Sequence, residues 1–452
     1  MRVIVLSLIV LFTNIIILGQ DKTEKPNPLI SQMLKEISAK RIEADIRKLV
    51  SFGTRNTNSA QDNPQRGIGA ARDWIFQEFQ KISNECGGCL EVEKQSFLQE
   101  PTQNKRIPKP VTITNVFARL KGVSDPDRIY IVSAHYDSMC ADPADGNCDA
   151  PGANDDASGV AAVLEMTRIM SKRKFDATII FLTVAGEEQG LLGAAYFAEK
   201  AKQANWNIDA MFTNDIIGGV TTFKDAPNRQ TVRVFSEGVP SNETEVEANI
   251  RKSVGGENDS PSRQLARFIR ETAEIYSPNF SVLMIYRRDR YLRGGDHIPF
   301  LERGFPAVRF TETNEDYDHQ HQNVRVESGG KIYGDTPEFV DFEYVANVTR
   351  INLASLARLA LAPAKPRNVG IVTAKLTNDT ELKWEASTQQ DVKGYEIVWR
   401  ETTEPVWTHS IFVGNVTNYV MKGMSKDNYF FGVRAVDKDG NKSPVSFPRP
   451  IR

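Results

Sequence analysis

Apolar residues recur at largely helical intervals over residues 30–49, at Ile30, Met33, Leu34, Ile37, Ile42, Ile46 and Leu49, and the spacing predicts one amphipathic helix. A second helix is predicted over 67–83, with Ala71, Trp74, Ile75, Phe79 and Ile82 on its apolar face. From Val111 the period changes. Residues 111–120 and 128–134 read as strands, and the run Ile129-Tyr130-Ile131-Val132 is as continuously apolar as a strand covered on both faces must be. A helix over 157–171, a strand over 177–184, a helix over 191–203 and a strand over 210–215 then alternate. That alternation predicts an α/β domain with a mostly parallel central sheet covered by helices. Ligands of such sheets gather beyond the carboxyl ends of the strands. Further on, 264–276 and 344–361 read as helices, 307–311 as a short strand, and the polar stretch 238–261 as a loop.

At Ala362-Pro363-Ala364-Lys365-Pro366 the helical pattern stops, and short runs alternating at period two follow to Arg452. Leu382 and Trp384, then Tyr395, Ile397 and Trp399, then Tyr429, Phe431, Val433 and Ala435 give one buried face per strand. This predicts a small all-β sandwich over 363–452, and it resembles a fibronectin type III module. The resemblance makes Trp384 the core tryptophan and Tyr429 the candidate tyrosine corner.

Composition narrows the function. Lys+Arg 56 against Asp+Glu 58 leaves no basic excess to neutralise phosphates, so nucleic acid is a poor partner. Arg2 followed by the apolar run Val3 to Leu18 and small Gly19 reads as a signal peptide over residues 1–20, which predicts a secreted protein without a stable membrane anchor. An even count of four cysteines in an exported chain suggests disulfides, and the simplest pairings are local, Cys86 with Cys89 and Cys140 with Cys148.

The chemistry lies where strands meet loops. His135-Tyr136-Asp137 follows a buried strand, and alternation sends His135 and Asp137 to one side. Asp155-Asp156 stands in a Gly-containing turn before a helix, where one carboxylate suffices to cap the helix and the other is free to bridge cations. Glu187-Glu188 follows the next buried strand, where paired carboxylates are costly unless they meet a proton or a metal. Asn214-Asp215 ends a further strand, and Asp318-His319-Gln320-His321 offers imidazoles late in the domain. Each piece alone is weak; together they can make a two-metal site.

In their combination of His-x-Asp-Ser, Pro-Gly-Ala-x-Asp-Asp-x-Ser-Gly, Gly-Glu-Glu-x-Gly-Leu-x-Gly and a later Asp-His, residues 42–363 resemble the co-catalytic zinc metallopeptidases of the leucyl aminopeptidase and glutamate carboxypeptidase group. The resemblance implies a metallopeptidase domain over 21–362 binding two zinc ions. His135 and Asp215 would hold one, Glu188 and His319 the other, with Asp155 bridging and a cis Asp155–Asp156 bond. His319 is preferred to His321 because the family places Asp four residues after this ligand, and Asn323 stands there for His319 but Arg325 for His321. Glu187 would be general base and then general acid, and Asp137 would support His135. His297 would lie near the site without ligating, and Tyr291 or Arg293 would stabilise the oxyanion. Two zincs about 3.5–4 Å apart polarise a peptide carbonyl and acidify water.

The substrates implied are peptides or proteins. Gly-Glu-Glu-Gln-Gly-Leu-Leu-Gly looks more like the aminopeptidase branch, which points to release of N-terminal residues, with a carboxypeptidase or dipeptidase as the alternative. Glutaminyl cyclases share the fold but lack the complete ligand set. A catalytically silent binding or adhesion protein would need lost ligands, and none is lost. The C-terminal module reads most simply as a spacer or a docking domain for extracellular polymer or protein.

Overall fold

Alternate residues of the two central strands enter different cores. In the computed structural model, which describes residues 24–219 and 229–452, Tyr130, Val132, Ile179 and Phe181 join one apolar cluster, while Ile129, Ile131, Ile180 and Leu182 join another that includes Phe197 and Phe300. A strand with helices on both faces must be apolar at odd and even positions alike. The run read as a signal peptide lies outside the described residues.

Eight strands form one sheet: β1 (Leu90–Gln99), β2 (Val111–Leu120), β3 (Asp125–His135), β4 (Ala177–Val184), β5 (Asn207–Asn214), β6 (Thr231–Phe235), β7 (Ser281–Ile285) and β8 (Ala307–Glu312). Their spatial order is β1-β2-β4-β3-β5-β8-β6-β7. The centre, β4-β3-β5-β8, is parallel, whereas β2 and β6 pair with it antiparallel. Helices α1 (Pro28–Glu36), α2 (Ala39–Val50), α3 (Ile68–Glu85) and α4 (Ala157–Met170) contribute to the first cluster, and α5 (Leu192–Gln203) to the second.

The helix predicted over 30–49 is two helices. Ile37 is extended and Ser38 caps α2, its Oγ accepting from Arg41 N at 3.3 Å. The Ser38 N–H donates to the buried carboxylate of Glu165 at 2.7 Å, an acceptor 127 residues away that no local pattern reveals. The loop predicted over 238–261 contains α6 (Glu245–Val254), started by a capping box of Thr244 and Glu247 and stopped by Gly255 at φ 68°. It buries no residue, so it has no apolar stripe to read. Helix α7 (Pro261–Tyr276) starts at proline behind the cap Ser260. Helices α8 (His297–Glu302) and α9 (Phe342–Leu361) complete the layers, and a small hairpin of β9 (Arg325–Val326) and β10 (Ile332–Tyr333) leaves the domain after His321.

Two further sheets follow. One has the order β15-β12-β11-β17 and the other β14-β13-β16, from β11 (Gly370–Val372), β12 (Thr380–Lys383), β13 (Val392–Glu401), β14 (His409–Gly414), β15 (Asn418–Met421), β16 (Tyr429–Asp437) and β17 (Arg449–Ile451). Leu382, Trp384, Tyr395, Ile397, Phe431, Val433 and Ala435 fill the space between them. Tyr429 sits half-buried with its ring edge-on to Phe431; the hydroxyl that meets backbone is that of Tyr395, accepting from Ser387 N at 2.6 Å. Both local disulfides, Cys86–Cys89 and Cys140–Cys148, are closed. Among the described residues no helix is long and apolar enough to cross a membrane.

Candidate metal centre

Because β3 and β4 run parallel with His135 opposite Val184, the segments that follow them emerge side by side at one edge of the sheet. His135 is buried, and its Nδ1 meets the carbonyl of Asp137 at 3.1 Å. A carbonyl only accepts, so Nδ1 carries a proton and Nε2 is left facing the acids. That Nε2 lies 3.1 Å from Asp155 Oδ1 and 3.8 Å from Asp215 Oδ1. From the opposite side, His321 Nε2 lies 2.8 Å from Asp155 Oδ2 and 3.0 Å from Glu188 Oε1. Each oxygen of Asp155 therefore faces one imidazole. The ligand atoms of His135, Glu187 and Asp215 fall within 4.8 Å of one another, as do those of Asp155, Glu188 and His321.

The electrostatics of this cluster call for cations. Burial opposes a charged imidazole, yet Asp137, Asp155 and Asp215 hold His135 well above its ordinary value. Against the same burial, Glu188 and Asp155 push His321 up to about 11. Burial, with Asp215 and Glu188 nearby, raises Glu187 well above the carboxylate range, against the pull of His135. Among the described residues, His135 Nε2, His321 Nε2 and Glu188 Oε1 are buried and make no well-oriented hydrogen bond; what faces them is the cluster itself, Asp155 at 3.1 and 2.8 Å from the two imidazoles and Glu188 at 3.0 Å from His321. Carboxylates and imidazoles converging in this way are the donor set that labile zinc takes.

Several groups hold the cluster in place. Asp156 caps α4, its Oδ1 accepting from Gly159 N at 3.0 Å and its Oδ2 from His135 N at 3.1 Å. The bond between Asp155 and Asp156 is cis. Asp137 meets His135 Nδ1 with its backbone carbonyl at 3.1 Å, its carboxylate Oδ1 lies 3.6 Å from the same nitrogen, and that carboxylate also accepts the N–H groups of Glu187 at 3.2 Å and Glu188 at 3.1 Å. Asp335 accepts from Asn154 N at 2.8 Å and Asp155 N at 2.7 Å.

Arg55, fully buried, donates to the carbonyls of Tyr136, Pro151 and Gly152 at 2.7, 2.5 and 2.8 Å, tying together the two turns that carry His135 and Asp155. Arg309, also fully buried, lies 2.9 Å from Asp215 Oδ1 and donates to Gly294 O at 2.7 Å. Sequence reasoning missed Arg55, Asp335 and Arg309. The one available signal was a charged residue inside the apolar strand 307–311.

His319 is corrected. It lies outside both groups, stacked on Phe339 at 3.6 Å between ring centroids with its Nδ1 at 3.1 Å from Gly334 O. His321, at φ 55°, turns into the cluster in its stead. His297 is buried beside the site at the start of α8, its Nε2 2.8 Å from Arg288 O, and burial lowers its pKa. Tyr291 is 80 % exposed and its hydroxyl is bound by Arg287, while Arg293 pairs with Glu315 at 2.7 Å. The structure brings neither into contact with the cluster.

Residues 115–327 match peptidase family M28, and residues 364–452 match the fibronectin type III domain. A "probable zinc metalloprotease" of Leptosphaeria maculans is 49% identical over 425 residues, 94% of this chain and 98% of that protein. LapB of Legionella pneumophila superimposes with a TM-score of 0.53 at 19% identity, covering 75% of this chain and 79% of its own. The LapA aminopeptidase of the same organism gives 0.51 at 19% identity, over 77% and 76%. These two likenesses speak for the fold.

Proposed function

The chain belongs to peptidase family M28, and from that premise we propose that it is an exported aminopeptidase working with two zinc ions. Relatives that it matches over nearly their whole length bear the name "probable zinc metalloprotease". The reading assigns 21–362 to the peptidase domain and 363–452 to the module. The observation that carries it is Asp155, with one oxygen 3.1 Å from His135 Nε2 and the other 2.8 Å from His321 Nε2. His135 and Asp215 would hold one ion and Glu188 and His321 the other, with Asp155 shared between them.

Bound there, the two ions would supply Lewis-acid polarisation of the scissile carbonyl and acidification of a water molecule. Glu187 accepts the proton of that water on a carboxylate oxygen and returns it to the nitrogen of the leaving amine. Asp137, through the Glu187 N–H, fixes where that carboxylate stands. Asp215, held by Arg309, keeps a fixed direction toward His135.

Release of N-terminal residues rests on Gly-Glu-Glu-Gln-Gly-Leu-Leu-Gly. Export rests on the apolar run Val3 to Leu18, and two disulfides suit an oxidising compartment. The test is metal content together with turnover of free and N-acetylated amino-acid amides before and after chelation. Two zincs and chelator-sensitive cleavage of free-amine substrates alone are expected. Cleavage from the carboxyl end alone would move the reading to a carboxypeptidase, and absence of both metal and turnover would overturn it.

A further inference from the structure

The C-terminal module grips the peptidase domain through one buried acid. Asp259, with a side chain 1% exposed, accepts from Arg267 Nη1 at 2.7 Å on one oxygen and from Arg400 Nη2 of β13 at 2.8 Å on the other. Gln264 Nε2 donates to Asp259 at 2.9 Å, and Gln264 Oε1 accepts from Trp407 Nε1 of the module at 3.0 Å. The guanidinium groups of Arg267 and Arg400 stand 5.7 and 5.3 Å from the Trp407 ring. Buried charges paired and hydrogen-bonded in this way fix one geometry, because breaking either pair leaves an uncompensated ion.

That geometry ends on a loop. The carbonyl of Pro405, in the turn between β13 and β14, accepts from Arg267 Nε at 2.8 Å and from the Tyr286 hydroxyl at 2.9 Å. Tyr286 is the first residue after β7, the last strand of the sheet. The loop it opens, 286–296, carries four arginines, and its tip exposes Tyr291 and Leu292. Beyond that exposed tip, Asp289 and Asp296 are buried and Arg290 and Arg293 pair with Glu315 at 3.0 and 2.7 Å, so the loop is fastened to the peptidase domain past its middle while its root at Tyr286 is fastened to the module. Its far side reaches the metal centre: Asp289 lies 3.5 Å from Arg309 Nη1, Gly294 O accepts from the same arginine at 2.7 Å, and Arg309 Nη2 lies 2.9 Å from Asp215. Contacts thus run from Pro405 through Tyr286, the loop and Arg309 to Asp215.

We propose that the module is a brace for the 286–296 loop and that Tyr286 is the positioning residue through which it acts on substrate binding; the substrate half rests on the peptidase reading above. The module's turn restricts the loop at its root, so that the wall it forms beside Asp215 is already in place when a peptide arrives. A pre-ordered wall lowers the ordering cost of binding.

The test uses the full-length, zinc-loaded protein with Tyr286→Phe, Trp407→Phe and, as a control, Arg449→Ala, which breaks an exposed pair with Glu247 elsewhere between the domains. Amide hydrogen exchange in 286–296 is expected to quicken by about tenfold in the first two, the factor one lost hydrogen bond corresponds to. Exchange in 177–188 and zinc content stay as in the wild type, KM for an amino-acid amide rises several-fold, and kcat is unchanged. Arg449→Ala matches the wild type throughout. Unchanged loop exchange in both variants, or an increase spread evenly over the sheet, overturns the brace. If Trp407→Phe unfolds the module, Tyr286→Phe, which removes a single oxygen, decides alone. If the wild type cleaves no free-amine substrate, the peptidase reading fails while loop exchange still decides the brace.

Discussion

Replacing Arg55 with lysine keeps a positive charge at the heart of the ligand turns and removes only the fork that joins them. Burial lowers the Arg55 pKa to about 10 against the pull of Asp335, Asp137, Asp156 and Asp155, so at neutral pH the group is cationic. Its guanidinium makes three hydrogen bonds of 2.5–2.8 Å, to Tyr136, Pro151 and Gly152. A lysine ammonium in the same shaft reaches one of those carbonyls. Two charged hydrogen bonds at about 1.5–3 kcal/mol each put the cost at about 3–6 kcal/mol. That is a large share of the roughly 5–15 kcal/mol that holds a domain folded, and it falls on the turns carrying His135 and Asp155. Zinc affinity should drop by about 10–100-fold, as for other groups that orient ligands.

The sign of the effect separates geometry from charge. If Arg55 acted by charge alone, Arg55→Lys would bind zinc as the wild type does, and Arg55→Met would bind it more tightly, because a cation beside four acids has gone. If Arg55 holds the turns, both substitutions weaken zinc. Competition against a chelating zinc dye, read with thermal melts of the metal-free and loaded proteins, distinguishes the two. Wild-type zinc affinity in Arg55→Lys would refute the reasoning.

Glu187→Gln should retain its zinc and lose about 10²–10⁴-fold in kcat, since it removes the proton carrier and nothing else; full turnover at normal zinc content would end that assignment. His321→Ala should lower zinc per chain by one while His319→Ala leaves the stoichiometry intact, as read by elemental analysis after dialysis. Glu312 is buried with one oxygen accepting from Asn154 at 3.0 Å, and burial raises its pKa to about 8. An acid whose folded pKa is raised binds more protons folded than unfolded, so its contribution is full below the unfolded value near 4.5 and is lost as pH rises through 8. Glu312→Gln should therefore flatten the decline of melting temperature across that window; an unaltered slope would count against it.

The parts of the site that could be read in the sequence are those whose position is set by a strand end. His135, Glu187, Glu188 and Asp215 each follow or end an apolar run, Asp155 stands in the turn that starts the helix after β3, and parallel strands with helices between them deliver such residues to one end of the sheet. The late histidine is different because two candidates share one irregular turn. His321 enters the cluster through a left-handed backbone at φ 55°, and His319 is drawn off by the ring of Phe339, twenty residues downstream. Neither the His321 backbone nor the Phe339 ring is announced by the neighbouring sequence, so an offset rule drawn from a resemblance chose the ring that stands outside the cluster. Arg55 was hidden for a related reason: Thr54-Arg55-Asn56-Thr57-Asn58-Ser59 has the composition of a solvated loop, yet every residue except Asn58 is buried. Its three closest acceptors are carbonyls 81–97 residues away, which leave no trace in side-chain chemistry.

Arg309 shows where a trace does survive. Strand β8 is buried at all six positions, and an arginine in such a strand is tolerable only if acids meet it. Asp215, just after the neighbouring strand, and Asp289, in the 286–296 loop, are those acids. In a sequence, a cation in a parallel strand beside one that ends in a candidate ligand therefore points to that ligand's carboxylate. The same pairing keeps the direction of Asp215. With Arg309 fixed by Gly294 and Asp289, one oxygen of Asp215 is tethered, and the carboxylate cannot swing away from His135 without uncoupling a buried arginine.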